Sequence, residues 1–268
     1  MPKPTIVAIP GAWHSPAAFE TVTKKLEALG YTVLSRQMPS VGSDPPPEDL
    51  SDDVAAVRDL VLKAIGDSND VVVVPHSWSG IVAGSALVGL GKKQREANGE
   101  KGGVIRTAFM CSFVVPEGVS LMDVINHEIP GWWDIKVLFL FVLNRLYIWM
   151  SDTHDKKGPY TFPNDPNIFY NDLSAEEQQK WMSKLQTHAF ATKKAKSTGA
   201  AWKEIPSSYL ICEDDNAIPK VAQEAMTKGA KDAGAEMEIE VIKASHSPFL
   251  SQPDRVVEFI RRAAGEKV

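Results

Sequence analysis

Ser77 stands midway between a run of four valines and a helix-length apolar segment. Val71-Val72-Val73-Val74 reads as a strand buried on both faces, and Ile81 to Leu90 as a helix with small residues early in it. The link, Pro75-His76-Ser77-Trp78-Ser79-Gly80, leaves little room for a loop, so Ser77 takes the apex of a tight strand–turn–helix. Such a turn holds a hydroxyl at the carboxyl edge of a parallel sheet, where open α/β sheets bind ligands. It also places that hydroxyl at a helix N-terminus, whose free N–H groups stabilise developing negative charge. A serine is a weak nucleophile at neutral pH; it needs a base, and the base needs an orienting acid. His246, in Ala244-Ser245-His246-Ser247-Pro248, follows the last expected strand, and Glu213, Asp214 and Asp215 follow the strand before it. The order serine, acid, histidine is the one expected for a nucleophile on such a sheet. The elbow departs from Gly-x-Ser-x-Gly, because Pro75 and Ser79 hold the glycine positions. The plainer reading is a strand and helix joined by a serine-bearing turn that does no chemistry.

Positioning these groups requires alternating strands and helices. Thr5 to Ile9 reads as a strand ending in Pro10-Gly11-Ala12-Trp13-His14. Ser15-Pro16 opens a helix that runs to about Leu29, and Gly30 closes it. Tyr31 to Ser35 is a second strand, Gln37 to Glu48 a proline-rich loop, and Leu50 to Ile65 a helix with Val54, Val57, Val61 and Ile65 at helical spacing. Gly91 to Gly103 reads as an exposed loop before a strand at Val104–Met110. From about Pro116 the strand signals stop. Residues 117–200 look helical and carry many aromatics, Trp132, Trp133, Phe139, Phe141, Tyr147 and Trp149 among them. Strands at Ser208–Cys212 and Glu236–Ile242, and helices at Pro219–Ala233 and Pro253–Ala264, then resume the rhythm. The pattern predicts an α/β chain with a mostly parallel sheet, its core formed by residues 1–116 and 201–268, and a helical lid at 117–200 inserted into one crossover.

With these pieces in order, the chain resembles an α/β-hydrolase of the plant methylesterase and hydroxynitrile lyase type, and is similar to fungal esterase-like members. The matching segments are Pro10-Gly11-Ala12-Trp13-His14, His76-Ser77-Trp78-Ser79-Gly80, Asp215-Asn216-Ala217-Ile218-Pro219 and His246-Ser247-Pro248-Phe249-Leu250. The resemblance implies Ser77 as nucleophile, His246 as base and Asp215, four residues before Pro219, as acid, with Asp214 the runner-up. It implies an oxyanion hole from the backbone N–H groups of Ala12 and Trp78. Trp13, Trp132 and Trp133 are expected to wall a pocket for an apolar acyl or aryl group. The implied reaction is hydrolysis of a carboxylic ester or lactone through an acyl-enzyme, with no cofactor and no metal. A lyase using His246 as base, or a small-molecule binder without catalysis, are the alternatives. Hydroxynitrile lyases of this type carry a lysine directly after the catalytic histidine, and here that residue is Ser247.

Composition narrows the partners. The 268 residues are 44% hydrophobic and 24% charged with a net charge of −5, which suits one globular enzyme and shows no basic stripe for nucleic acid. Lys92-Lys93 and Lys193-Lys194 read as solvated surface pairs. Cys111 and Cys212 follow strand-like runs and read as reduced thiols at the core edge. No long apolar region follows Met1, and Val137 to Met150 is interrupted by Asn144 and Arg145 and too short to span a bilayer. An intracellular, cytoplasmic setting is therefore expected. His14 is expected to bond locally and His76 to pack in the elbow, while His154 and His188 read as surface or lid residues. His127-Glu128 lacks the second histidine of a zinc helix.

Overall fold

The structure is a computed structural model that describes residues 2–139, 148–151 and 159–268, with side chains at 2–135 and 159–268. The side chains of Phe139, Phe141, Tyr147, Trp149 and His154 lie outside the described residues. In chain order come β1 (Thr5–Ile9), α1 (Glu20–Ala28), β2 (Val33–Ser35), α2 (Ser51–Ile65), β3 (Asp70–Pro75), α3 (Ser79–Ala86), α4 (Lys92–Ala97) and β4 (Gly103–Met110). An insert follows, with α5 (Leu121–Val124), β5 (Trp133–Phe139), β6 (Ile148–Ser151), β7 (Tyr160–Pro163), α6 (Asn167–Tyr170), α7 (Ala175–Met182), β8 (His188–Ala189) and α8 (Ala191–Lys194). The chain then returns through β9 (Ser207–Cys212), α9 (Lys220–Asp232), β10 (Met237–Ile242), α10 (Pro248–Ser251) and α11 (Pro253–Ala263).

The core sheet has the order β10-β9-β4-β3-β1-β2, and every pairing in it is parallel. From β1 the chain moves outward to β2, then crosses back to β3 and builds the other half of the sheet. The carboxyl ends of β1 and β3 therefore diverge into connections running in opposite directions, which opens a crevice between them. The valine run explains why β3 lies at the centre. Val71 and Val73 join the cluster on one face with Val57 and Val61 of α2 and Ile81 and Val82 of α3. Val72 and Val74 join the other, with Val22 and Leu26 of α1 and Val256, Phe259 and Ile260 of α11. A strand buried on both faces needs apolar side chains at every position, not at alternate ones.

Two expectations are corrected. The stretch before β4 is not a bare loop: Lys92–Ala97 forms α4. The insert is not all helical. It carries an antiparallel sheet of order β6-β5-β7-β8 beside its short helices. Trp133-Asp134-Ile135 alternates apolar and polar residues, a strand period that the neighbouring aromatics obscure. This sheet is tied to the proline-rich loop of the core, since Gly42 N donates to Thr187 O at 2.9 Å and Ala189 N to Ser40 O at 2.9 Å. No described helix is long and apolar enough to cross a membrane.

Candidate active site

Ser77 sits between β3 and α3 with φ +57°, a left-handed conformation that costs a non-glycine residue energy. Its backbone is held there from both sides. Ser77 N donates to Met110 O at 3.3 Å, and Ser77 O accepts from Phe113 N at 3.0 Å and from Ser112 Oγ at 2.7 Å. The small neighbours are required by close approach. A Cβ on Gly80 would lie 2.1 Å from Phe113 O, and one on Gly11 would lie 2.9 Å from Ser77 Cβ. Ser79 does more than save space: its Oγ accepts from His76 N at 3.0 Å and donates to Ile9 O at 3.0 Å, lacing the elbow to β1. Pro75, the last residue of β3, pairs in register with Ile9.

The turn after β10 brings His246 against this serine. His246 Nε2 is 2.8 Å from Ser77 Oγ, and its Nδ1 is 2.7 Å from Asp215 Oδ2. Asp215, not Asp214, makes this contact. Asp215 is buried while Asp214 and Glu213 are exposed. Asp215 Oδ1 accepts from the backbone N–H groups of Ala217 and Ile218, each at 2.8 Å, and Gln223 Nε2 donates to Oδ2 at 3.3 Å. These donors fix the orientation of the carboxylate. Trp78 is the N-cap of α3, so its N–H stands at the start of a helix where the first amides have no intrahelical acceptor.

The insert grips both loops that carry these groups. Asp172 Oδ2 accepts from Ser245 N at 2.9 Å, and Phe169 O accepts from Ser245 Oγ at 3.0 Å. Asn171 Nδ2 donates to Asp214 O, and Asn216 Nδ2 to Asn167 O, both at 2.9 Å. Ala12, Trp13, Ser77, Trp78, Trp132 and Trp133 line one cavity, together with Phe113, Leu121, Ile125, Pro130, Phe169, Lys193, Ala217 and Ile218. The expected wall residues thus meet the expected reactive serine. Trp13, at φ +64°, is locked by its Nε1, which donates to Thr161 O at 3.0 Å and Thr161 Oγ1 at 3.1 Å.

Of the other histidines, His14, His76 and His188 are buried, while His127 is exposed. His14 Nδ1 donates to Ala12 O at 2.8 Å, and its Nε2 accepts from Tyr170 Oη at 2.9 Å. Burial is the main cause that lowers its pKa to about 4, opposed by the Ala12 bond. His76 Nε2 donates to His246 O at 2.8 Å, and burial holds His76 far below the usual histidine range. His188 is fully buried within the insert, away from any surface, and burial lowers its pKa as well. The lysine pair is split: Lys194 is exposed, but Lys193 is fully buried, contrary to its reading as solvated surface. Ligand atoms of His76, Cys111 and His246 lie within 4.8 Å of one another. Each already has other work. His76 Nε2 and Cys111 Sγ both donate to the carbonyl of His246, whose ring nitrogens face Ser77 and Asp215. Cys111 and Cys212 are both free and buried.

A model of the alpha/beta hydrolase family matches residues 6–259. The chain belongs to that family. It is 34% identical over its full length to the alpha/beta hydrolase nvfD of Aspergillus novofumigatus, covering 99% of that protein. It is 24% identical to Methylesterase 2 of Arabidopsis thaliana, with 94% of this chain and 92% of that protein covered. Among solved structures, a pyrethroid hydrolase from Sphingobium faniae superimposes with a TM-score of 0.71 at 18% identity, covering 98% of this chain and 97% of the other. A methylesterase from Arabidopsis superimposes with a TM-score of 0.69 at 16% identity, covering 97% and 99%. Within this hydrolase the serine, histidine and aspartate come from three different loops at one sheet edge, the arrangement that the family's strand order makes possible.

Proposed function

We propose that this hydrolase cleaves a carboxylic ester or lactone with an apolar or aromatic portion, using Ser77, His246 and Asp215 as a triad. The reading is carried by the hydrogen-bonded line from Ser77 Oγ through the imidazole of His246 to Asp215, 2.8 Å and 2.7 Å long in its two links. Ser77 attacks the carbonyl while His246 takes its proton through Nε2. The tetrahedral oxyanion is held by the N–H groups of Ala12 and Trp78, which act in a water-poor cavity where such dipoles are strong. His246 returns the proton to the leaving alcohol, and water then repeats the attack on the acyl-enzyme. Asp215 keeps the imidazole in the tautomer that presents Nε2 to the serine. The insert serves as a lid whose aromatics supply the apolar wall. Relatives named as a methylesterase and a pyrethroid hydrolase support an ester as the bond cut.

Ser77→Ala is expected to lower kcat on short-chain aryl esters by on the order of 10⁶. A fluorophosphonate should label Ser77 in the unmodified chain and leave the variant unlabelled. Near-normal turnover by Ser77→Ala would overturn the reading.

A further inference from the structure

Apart from indole N–H groups, the side chains that line the Ser77 cavity offer two polar groups among the described residues: the Ser77 hydroxyl and the Lys193 amine. Lys193 is fully buried, so whatever it offers a small molecule it offers through this cavity. A buried lysine is costly, and apolar residues in place of buried charges are often neutral or stabilising. Packing alone therefore gives no reason for it.

Its surroundings do. Lys193 Nζ hydrogen-bonds His188 Nδ1, which takes one of the three donors of an ammonium. It lies 4.2 Å over the ring of Trp13 and 4.9 Å over that of Trp133, two π-faces that favour a cation but satisfy no N–H fully. Behind it, His188 Nε2 is 2.9 Å from Ser40 Oγ, and Ser40 N donates at 3.0 Å to the buried carboxylate of Asp53. Burial holds the Lys193 amine well below the usual lysine range and Asp53 opposes this only in part, so the amine lacks a counter-charge that an arriving carboxylate would supply. A second donor on the same wall, Trp133 Nε1, is buried and has no acceptor. An amine held against aromatic faces, beside an unpartnered indole N–H, is a site short of acceptor oxygens. A carboxylate has two, and a charge-assisted bond to one of them is stronger than the π contacts it replaces.

We propose that Lys193 and Trp133 form the recognition site for a carboxylate on the substrate, so that the ester or lactone attacked by Ser77 carries a second, acidic group. This deepens the hydrolase reading and rests on the Ser77 cavity being the substrate site.

The test uses Ser77→Ala protein, which keeps the native Lys193 and lets binding be read without turnover. Methyl 4-carboxyphenylacetate and its neutral partner, methyl 4-carbamoylphenylacetate, are titrated together with their 3-substituted isomers. Quenching of tryptophan fluorescence is the signal, since Trp13, Trp132 and Trp133 line the cavity. The better acid isomer is expected to bind at least ~10-fold tighter than its amide. Adding Lys193→Met should shrink that ratio to within about 2-fold. Equal affinities with lysine in place, a preference that survives Lys193→Met, or no binding of either acid at millimolar concentration overturns the proposal. If Lys193→Met fails to fold, the acid-to-amide ratio on the native lysine still decides. Failure of Ser77 to react with fluorophosphonate would sink the hydrolase reading and leave this ratio untouched.

Discussion

The cavity has two walls of opposite character. On the core wall, Ser77, His246 and Asp215 pair their polar atoms end to end, and the surrounding backbone is anchored at Met110, Phe113, Ala217 and Ile218. On the insert wall, Lys193 leans on rings, and Trp133 Nε1 has no partner. The triad on the first wall is paired as it stands, which suits groups whose geometry must precede the substrate's arrival. The second is short of acceptors, which suits groups whose partner is the substrate. Preorganisation and recognition thus occupy different parts of the chain, the parallel sheet edge and the insert.

That contrast can be broken in graded steps. The largest effect after loss of the serine belongs to Asp215→Asn. It keeps the shape and removes the charge that selects the imidazole tautomer, so kcat should fall by about 10⁴ with little change in melting temperature. A loss below tenfold would show that the core wall is less unified than its hydrogen bonds imply. Gly80→Ala should cost stability instead. Its new Cβ would press on Phe113 O, a backbone atom 2.1 Å away, so about 3 kcal/mol or more is expected in urea unfolding. In α9 the same change at Gly229 meets nothing within 4 Å and should stabilise by about 0.5–1 kcal/mol.

Acid should separate the layers from the solvent-facing surface. His14 titrates at about 4 in the folded chain, while in the unfolded chain it returns to 6.5. Between those values the unfolded state binds the extra proton, so stability is lost as pH falls through this window and is fully present above it. The loss from His14 alone should reach about 3 kcal/mol near pH 4. His76 and His188 act in the same direction. Urea midpoints measured from pH 7 to pH 4.5 should drop, and His14→Asn should flatten the drop. Midpoints that stay level in the native chain would contradict the buried, neutral imidazoles.

Legibility followed how local the determining forces are. The β3–Ser77–α3 elbow could be read because four valines, a serine and a glycine act within ten residues. The acid was narrowed by resemblance to Asp215, and the structure adds the local reason: its Oδ1 caps the N–H groups two and three residues on. Asp214, one residue away, lacks that geometry and faces solvent. The insert was misread as helical because its strands are short and rich in aromatics, so the brief alternation at Trp133-Asp134-Ile135 passed as helix-compatible. Lys193 was misread for a different reason. Charged and polar residues are exposed by default, and only distant partners reverse that default.

What the chain's own order of residues determined is the alternating framework, the apex serine and the succession of serine, acid and histidine, because adjacent residues dictate strands, turns and caps directly. What the tertiary structure alone decided is which neighbour of a pair turns inward. Lys193 and Lys194 are chemically identical and adjacent, yet one is buried against Trp13 and the other faces water. The difference lies in rings supplied from elsewhere in the chain, and no local pattern encodes where those will meet.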